Sequence, residues 1–430
     1  MAEISTKVCP TEEIFAILPV EIHSNIYNFC MKDDLKSLTR CSKWLRQDVL
    51  PSLWKNMVIQ WKDIEKSTPT LCAEENGNMK CISELEFTGS VAGKSEGYLS
   101  FGFAYFLQSC NSDNLKSLSV RHFIAQCGLR LVSELFPNLK SLKLDNVKAD
   151  WESLSLFTSL KKLIIQDCVD WSEAGKDIYK MLQLEVLEIS NQYDHYGMDR
   201  FSADPDDFKL INLVDLNLVH VLVSDQQLST ISTTCEKLEV LTLGNQELTD
   251  LGISCISHLP SLQSLCLVQA NKVTDRSLFY ISKIPKLHHL ALNYCSRLTP
   301  CSIKQIATIK TLTNLSLSLS LAKAADEDFA SITNLTYLRT LEICGMHSLT
   351  NASLAYISLL SNLQQLDISS CNGFTDEGLS YLAKLAHLKA LVCDVHTGED
   401  DEEDVDMDAY PITMVGINAH NLWHLLVQLF

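Results

Sequence analysis

From residue 115 onward the apolar positions fall into one recurring arrangement, L-x-x-L-x-L, with Ile, Val or Cys allowed in the last place. Copies open at Leu115, Leu139, Leu160, Leu184, Leu213 and Leu238, and again at Leu262, Leu287, Leu312, Leu338, Leu363 and Leu388. Successive openings lie 21 to 29 residues apart, most of them 24 to 26. A degenerate earlier copy, ISELEF, starts at Ile82. Each copy alternates with period two, which predicts a short strand with one buried face. A self-similar step of this size is the mark of a repeat architecture.

A second, longer period follows each strand. The stretches LTDLGISCIS (248–257), VTDRSLFYIS (273–282), LTNASLAYIS (349–358) and FTDEGLSYLA (374–383) open on Thr followed by Asp or Asn. Such a side chain accepts a backbone N–H at a helix start, so either residue is an expected N-cap. Leu278 with Ile281, and Leu379 with Leu382, then share one helix face. One strand–helix unit cannot bury that face alone, so the units are expected to stack.

These residues resemble the leucine-rich repeat, and within it the cysteine-containing subclass. Cys168, Cys295 and Cys371 stand eight residues after their opening Leu, and Cys235 stands three before Leu238. Ala270, Ser320 and Met346 take the same place as the first three in other copies, so the inward ladder is expected to be mixed and its cysteines to serve packing. The resemblance implies an α/β fold, a right-handed leucine-rich-repeat solenoid or horseshoe. The strand residues between the leucines would line its concave face. Candidate substrate-binding positions there are Thr242, His289, Asn293, Asn314, Ser316, Glu342, Gln365 and Asp367. That set holds no convergent His, Asp and Ser at catalytic spacing, which favours a binding surface over an active site.

The N-terminal residues follow another grammar. Pro19 suits the first position of a helix carrying Ile22, Ile26 and Phe29 on one stripe. Asp33 or Asp34 can cap a second helix with Leu35, Leu38 and Cys41, and a third piece carries Trp44, Leu45 and Val49 before Pro51. About forty residues make a small core, so this unit is expected to lean on a partner, on the repeats, or on both. Residues 16 to 58 resemble an F-box, through Leu18, Pro19, Ile22, Ile26, Asp34, Leu35, Cys41, Trp44, Leu53 and Trp54.

An F-box followed by leucine-rich repeats implies a non-enzymatic substrate-recognition subunit of an SCF (Skp–cullin–F-box) ubiquitin ligase. The implied partners are the Skp adaptor, a cullin reached through it, and a protein substrate. The implied adaptor contacts are Leu18, Pro19, Ile22, Ile26, Leu35, Leu38, Trp44, Leu45, Leu53 and Trp54. A second reading stays open, in which the chain is a stand-alone binding module and the N-terminal helices cap the exposed end of the repeats.

Composition narrows the partners. The chain of 430 residues carries 53 acidic and 35 basic side chains, a net charge of −18. That balance argues against nucleic acid and against an anionic membrane surface. No apolar run reaches the ~18 residues of a membrane span, and MAEISTKVCP lacks the order of a secretory signal. The expected location is cytoplasmic, nuclear or both. None of the 16 cysteines is spaced C-x-x-C, and His288 and His289 lack a third ligand at metal spacing, so neither metal nor cofactor is expected.

Two irregular stretches remain. Residues 191–208, NQYDHYGMDRFSADPDDF, insert Tyr193, Tyr196 and Phe201 among acids; the alternatives are a tolerated surface loop and an aromatic anchor for a partner. Residues 399–408 hold eight acids in ten, readable as a solvated loop or as an attractor of a basic substrate, before NLWHLLV at 421–427. GKSEG (93–97) and GSVAGKS (89–95) lack the strand context of a nucleophile elbow or phosphate loop. The expected organisation is a helical unit at 14–60, a linker with the degenerate repeat at 61–110 and repeats at 111–395. An acidic loop at 396–410 and a capping repeat at 411–430 complete it.

Overall fold

The computed structural model of the chain describes residues 56–60, 82–88, 107, 114–168, 171, 175–191, 208–244, 247–394 and 412. It divides into two compact units, Met1–Trp171 and Ser172–Phe430. In the first, β1 (Asn56–Gln60), β2 (Glu84–Thr88), β3 (Ser117–Cys127), β4 (Ser141–Ala149) and β5 (Lys162–Gln166) each pair in parallel with the next. A helix, Leu129–Leu135, lies between β3 and β4, and a 3-10 helix, Trp151–Leu156, lies between β4 and β5.

In the second unit the strands are β6 (Val186–Ser190), β7 (Asp215–Val219), β8 (Val240–Gly244), β9 (Ser264–Val268) and β10 (His289–Asn293). They continue as β11 (Asn314–Ser316), β12 (Thr340–Glu342), β13 (Gln365–Asp367) and β14 (Ala390–Val392). Each is parallel to its neighbours. Helices such as Asp225–Thr234, Asp250–Ile256, Asp275–Ile281, Asn351–Ile357 and Asp376–Leu382 separate them. Parallel strands need such crossovers. This is the α/β architecture expected of stacked leucine-rich repeats.

The pattern explains the core. From β3 on, each strand starts two residues after its opening Leu, so the leucines at the first, fourth and sixth places share the inner face. Leu238, Leu241 and Leu243 are buried with Ile253 and Ile256 of the following helix, and Leu262, Leu265 and Leu267 with Leu278 and Ile281. Each such side chain contributes about 1.5–3 kcal/mol on burial.

The chain then leaves each strand by the same turn. His122, Asn146, Asp167, His220, Gln269, Tyr294, Leu319 and Ser370 have positive φ, as does Gly345, all seven residues after an opening Leu. The turn sends the next residue inward. Cys295 Sγ–H donates to the Leu267 carbonyl at 3.8 Å, Cys371 to Ile343 at 3.2 Å and Cys168 to Leu144 at 3.5 Å. Ser320 makes the equivalent bond to Leu292 and accepts from Cys295 N–H at 2.9 Å. The cysteines are therefore buried donors to the preceding repeat. Burial pushes the Cys168 and Cys235 thiols up to about 12, and Cys295 and Cys371 to about 11.

The helix starts decide between the two capping alternatives. Thr249, Thr274 and Thr350 are the N-caps, accepting from Leu251, Arg276 and Ala352 N–H at 3.2, 3.3 and 3.4 Å. The acid at the first position of each such helix serves the next repeat instead. Asp225 accepts from Thr249 N–H and Oγ1–H, Asp250 from Thr274, Asp275 from Thr299, and Asp326 from Thr350. Asn351 makes the same link to Thr375, accepting its N–H and donating to its Oγ1 at 2.8 Å. The residue three after each Thr is correspondingly small. Ser277, Ser302 and Ser353 donate to the same carboxylates, whereas at Gly252 a Cβ would stand 2.4 Å from Asp225 Oδ1. The ladder is interrupted once, between Pro300 and Ala325, where both partners are lost together and Ala325 N–H turns to its own Asp328 at 3.0 Å, and it resumes at Asp326.

A second difference concerns the N-terminal boundary. Residues 56–60, assigned above to the end of the helical unit, form β1 and pair with β2, placing Met57 beside Leu85 and Ile59 beside Phe87. Alternating apolar residues suit a strand better than a helix. The insert after β6 is closed by core residues: Phe208 is buried with its ring 5.4 Å from that of Tyr179, and Lys209 N–H donates to the Tyr179 carbonyl at 3.1 Å. Tyr193, Tyr196, Phe201, the GKSEG and GSVAGKS stretches, the acidic run 399–408 and residues 421–427 lie outside the described residues.

Candidate functional site

Residues two and four places after each opening Leu point away from the core, onto the sheet face opposite the helices. Register sets them in rows across the second unit. One row reads Asp215, Val240, Ser264, His289, Asn314, Thr340, Gln365 and Ala390. The next reads Asn217, Thr242, Cys266, Ala291, Ser316, Glu342, Asp367 and Val392. Thus His289, Asn314 and Gln365 share one row, while Thr242, Ser316, Glu342 and Asp367 share the other.

The middle of this face is low and the flanks are polar. Ala291 and Ser316 are each 4% exposed. Ser316 Oγ–H donates to Asn293 Oδ1 at 2.9 Å, so both side chains are held. Asp367 Oδ1 accepts from Ser369 N–H at 2.9 Å and from the Ser369 hydroxyl. Thr340 Oγ1–H donates to Gln365 Oε1 at 3.3 Å. The adaptor-contact candidates Leu18, Pro19, Ile22, Ile26, Leu35, Leu38, Trp44, Leu45, Leu53 and Trp54 all lie outside the described residues.

Charge on the face is one-sided. Among the described residues, strands β6–β14 hold no Lys or Arg, whereas Glu188, Asp215, Glu342 and Asp367 all stand at outward positions. Burial holds the His289 imidazole below its ordinary value, Glu342 acting the other way, so His289 is uncharged near pH 7. Burial, and then Glu342, pushes the Cys266 thiol up to about 11, which disfavours the thiolate a nucleophile needs. Strands β2–β4 do carry a base: Arg121 lies 3.1 Å from Glu86 and 3.8 Å from Asp145. Among the described residues no group of three or more His, Cys, Asp and Glu could hold a metal ion, and no helix is long and apolar enough to cross a membrane.

The sequence reading missed Glu188, Asp215 and Asn217, although the spacing that found Thr242 applies equally after Leu184 and Leu213. It also missed the rim. Tyr294 and Leu319, the left-handed turn residues after β10 and β11, are 50% and 39% exposed. Leu319 lies over Gly345, where a Cβ would stand 2.2 Å from Leu319 Cδ2.

No family model matches the chain. Among solved structures, it is similar to an internalin (inlF) from Listeria monocytogenes, at 17% identity, covering 82% of this chain and 94% of that one with a TM-score of 0.41. It is also similar to a chain of the yeast Rad7 and Elc1 complex, at 16% identity, covering 88% and 96% with a TM-score of 0.48. By sequence the chain is similar to F-box/LRR-repeat protein 4 of Bos taurus, 25% identical over 269 residues that span 60% of this chain and 38% of that relative.

Proposed function

We propose that the chain is the substrate-recognition subunit of an SCF-type ubiquitin ligase. Residues 16–58 would dock the Skp adaptor, and through it a cullin, while the open sheet face binds a protein substrate. The ubiquitin chemistry would then lie in other subunits, in the cytoplasm or nucleus. The observation that carries this reading is the order of parts: F-box spacing from Leu18 to Trp54, followed by parallel repeats whose outward face is polar, acidic and unlike an active site. The sequence similarity to an F-box/LRR-repeat protein supports it.

Co-expression with the Skp adaptor tests the proposal, read by size-exclusion chromatography. The expected result is co-elution of the wild-type chain, lost in an Ile22→Asp, Leu35→Asp double variant whose repeats still melt cooperatively. A wild-type chain that elutes alone, beside a control F-box protein that binds, would refute it.

One observation favours the second reading, a stand-alone module capped by its N-terminal helices. Strand β1 begins two residues after Trp54 and pairs directly with β2, which leaves no room for a linker between the sheet and the residues whose spacing resembles an F-box. Under that reading Ile22→Asp and Leu35→Asp lower the melting temperature of the repeats, and the adaptor has no effect.

A further inference from the structure

The open face of β10–β13 has a chemistry that selects one kind of partner. Glu342 sits half-buried in β12, and among the described residues no hydrogen bond or ion pair reaches its carboxylate. The neighbouring outward residues do not neutralise it: His289 is kept uncharged by burial, Asn314, Thr340 and Gln365 are neutral, and Asp367 adds a second negative charge. Beside Glu342 the row descends over Ser316 and Ala291, two small buried residues that leave a shelf one and two strands away. Strands are spaced about 4.8 Å apart, so this shelf accepts the aliphatic stem of a long side chain whose head reaches the carboxylate. At the end of the same strands Tyr294 and Leu319 present adjacent exposed apolar surfaces, both at left-handed backbone positions where such residues are uncommon.

We propose that this face docks a basic, extended segment of a protein: a Lys or Arg lying over Ala291 and Ser316 with its charge at Glu342, and an apolar residue against Tyr294 and Leu319. Charge complementarity names the occupant. An acidic or phosphorylated segment meets two carboxylates and no cation, whereas a basic one supplies the missing partner. Extended chain advances about 3.3 Å per residue, so the basic and apolar residues stand two or three positions apart. Asn293 and Ser318, between the shelf and the rim, offer polar groups to the backbone of that segment. This specifies the substrate class of the receptor described above and rests on its premise that the sheet face is the substrate side.

The test is selection from a random-peptide library displayed on phage, with the full-length chain as bait, followed by titration of the recovered peptides in solution. The wild-type chain is expected to enrich peptides pairing Lys or Arg with an apolar residue two or three positions away. Such a peptide should bind Glu342→Gln at least about tenfold more weakly. Glu342→Lys should enrich acids at that place, and Leu319→Asp should lose the apolar preference. Glu342→Gln is near-isosteric, so the decision stands even where the Lys variant fails to fold. Recovery of no peptides, of peptides without a basic residue, or of basic peptides that bind Glu342→Gln unchanged would overturn the proposal. The adaptor takes no part in this assay, so these outcomes are separate from failure of the N-terminal unit to dock.

Discussion

Asp250 and Thr274 begin consecutive helices and are joined twice: Thr274 N–H donates to Asp250 Oδ1 at 2.9 Å, and Thr274 Oγ1–H to Oδ2 at 2.7 Å. A carboxylate that follows the N-cap of one helix thus braces the N-cap of the next. In a stacked repeat protein, stability resides in intrinsic repeat terms and nearest-neighbour interfaces, and this link belongs to the interface. Asp250→Ala is expected to cost about 1–2 kcal/mol, the range for a lost cap and charge-assisted hydrogen bonds. Much of that loss should appear as coupling with Thr274→Val in a double-mutant cycle of urea unfolding. Additive single effects would contradict the interface role.

Gly252 is small because Asp225 passes beside it: a Cβ on residue 252 would stand 2.4 Å from Asp225 Oδ1. Gly252→Ala should therefore destabilise the wild-type chain although Ala is the better helix former. In an Asp225→Ala background the sign should reverse, with Ala gaining up to about 1 kcal/mol from helix propensity. Equal effects in both backgrounds would place the constraint elsewhere.

The same ladder makes stability depend on pH. Burial raises the pKa of Asp250 and Asp326, but hydrogen bonds from Ser277 and Thr274, and from Ser353 and Thr350, outweigh it and hold both carboxyls below the usual range. Stability from these groups is fully present above the ordinary Asp pKa of about 3.9 and is lost as pH falls through the lower folded value. Urea midpoints should drop as pH falls below about 4, and less steeply in an Asp250→Asn, Asp326→Asn variant. Parallel profiles would show that other carboxylates dominate.

Cysteine reactivity should divide by position. Cys168, Cys235, Cys295 and Cys371 are buried thiols with raised pKa, whereas Cys301 is exposed. Iodoacetamide at pH 8 followed by peptide mass mapping should label Cys301 in the native chain and the four buried thiols after denaturation. Native labelling of Cys295 would contradict its place in the core.

The leucine spacing made the strands and inner core legible, because period-two burial is a local property. The outward rows followed from the same spacing, and extending it to β6 and β7 would have found Glu188, Asp215 and Asn217. Strand β1 was hidden by its residue types: Trp54, Met57 and Ile59 keep the spacing of L-x-x-L-x-L without a single Leu. The choice between Thr249 and Asp250 as N-cap stayed open because capping is argued within one helix, whereas the partner of Asp250 is 24 residues away. Tyr294 and Leu319 were invisible because nothing in their side chains announces a left-handed turn, a conformation usually taken by Gly, Asn or Asp.

The central claim, that this chain links a ligase adaptor to a substrate, is tested most directly by native mass spectrometry of the full-length chain mixed with the Skp adaptor and a cullin. The account predicts one species with the summed mass of one copy of each, absent with the Ile22→Asp, Leu35→Asp variant. The chain persisting at its own mass, while a control F-box protein assembles under the same conditions, would contradict it.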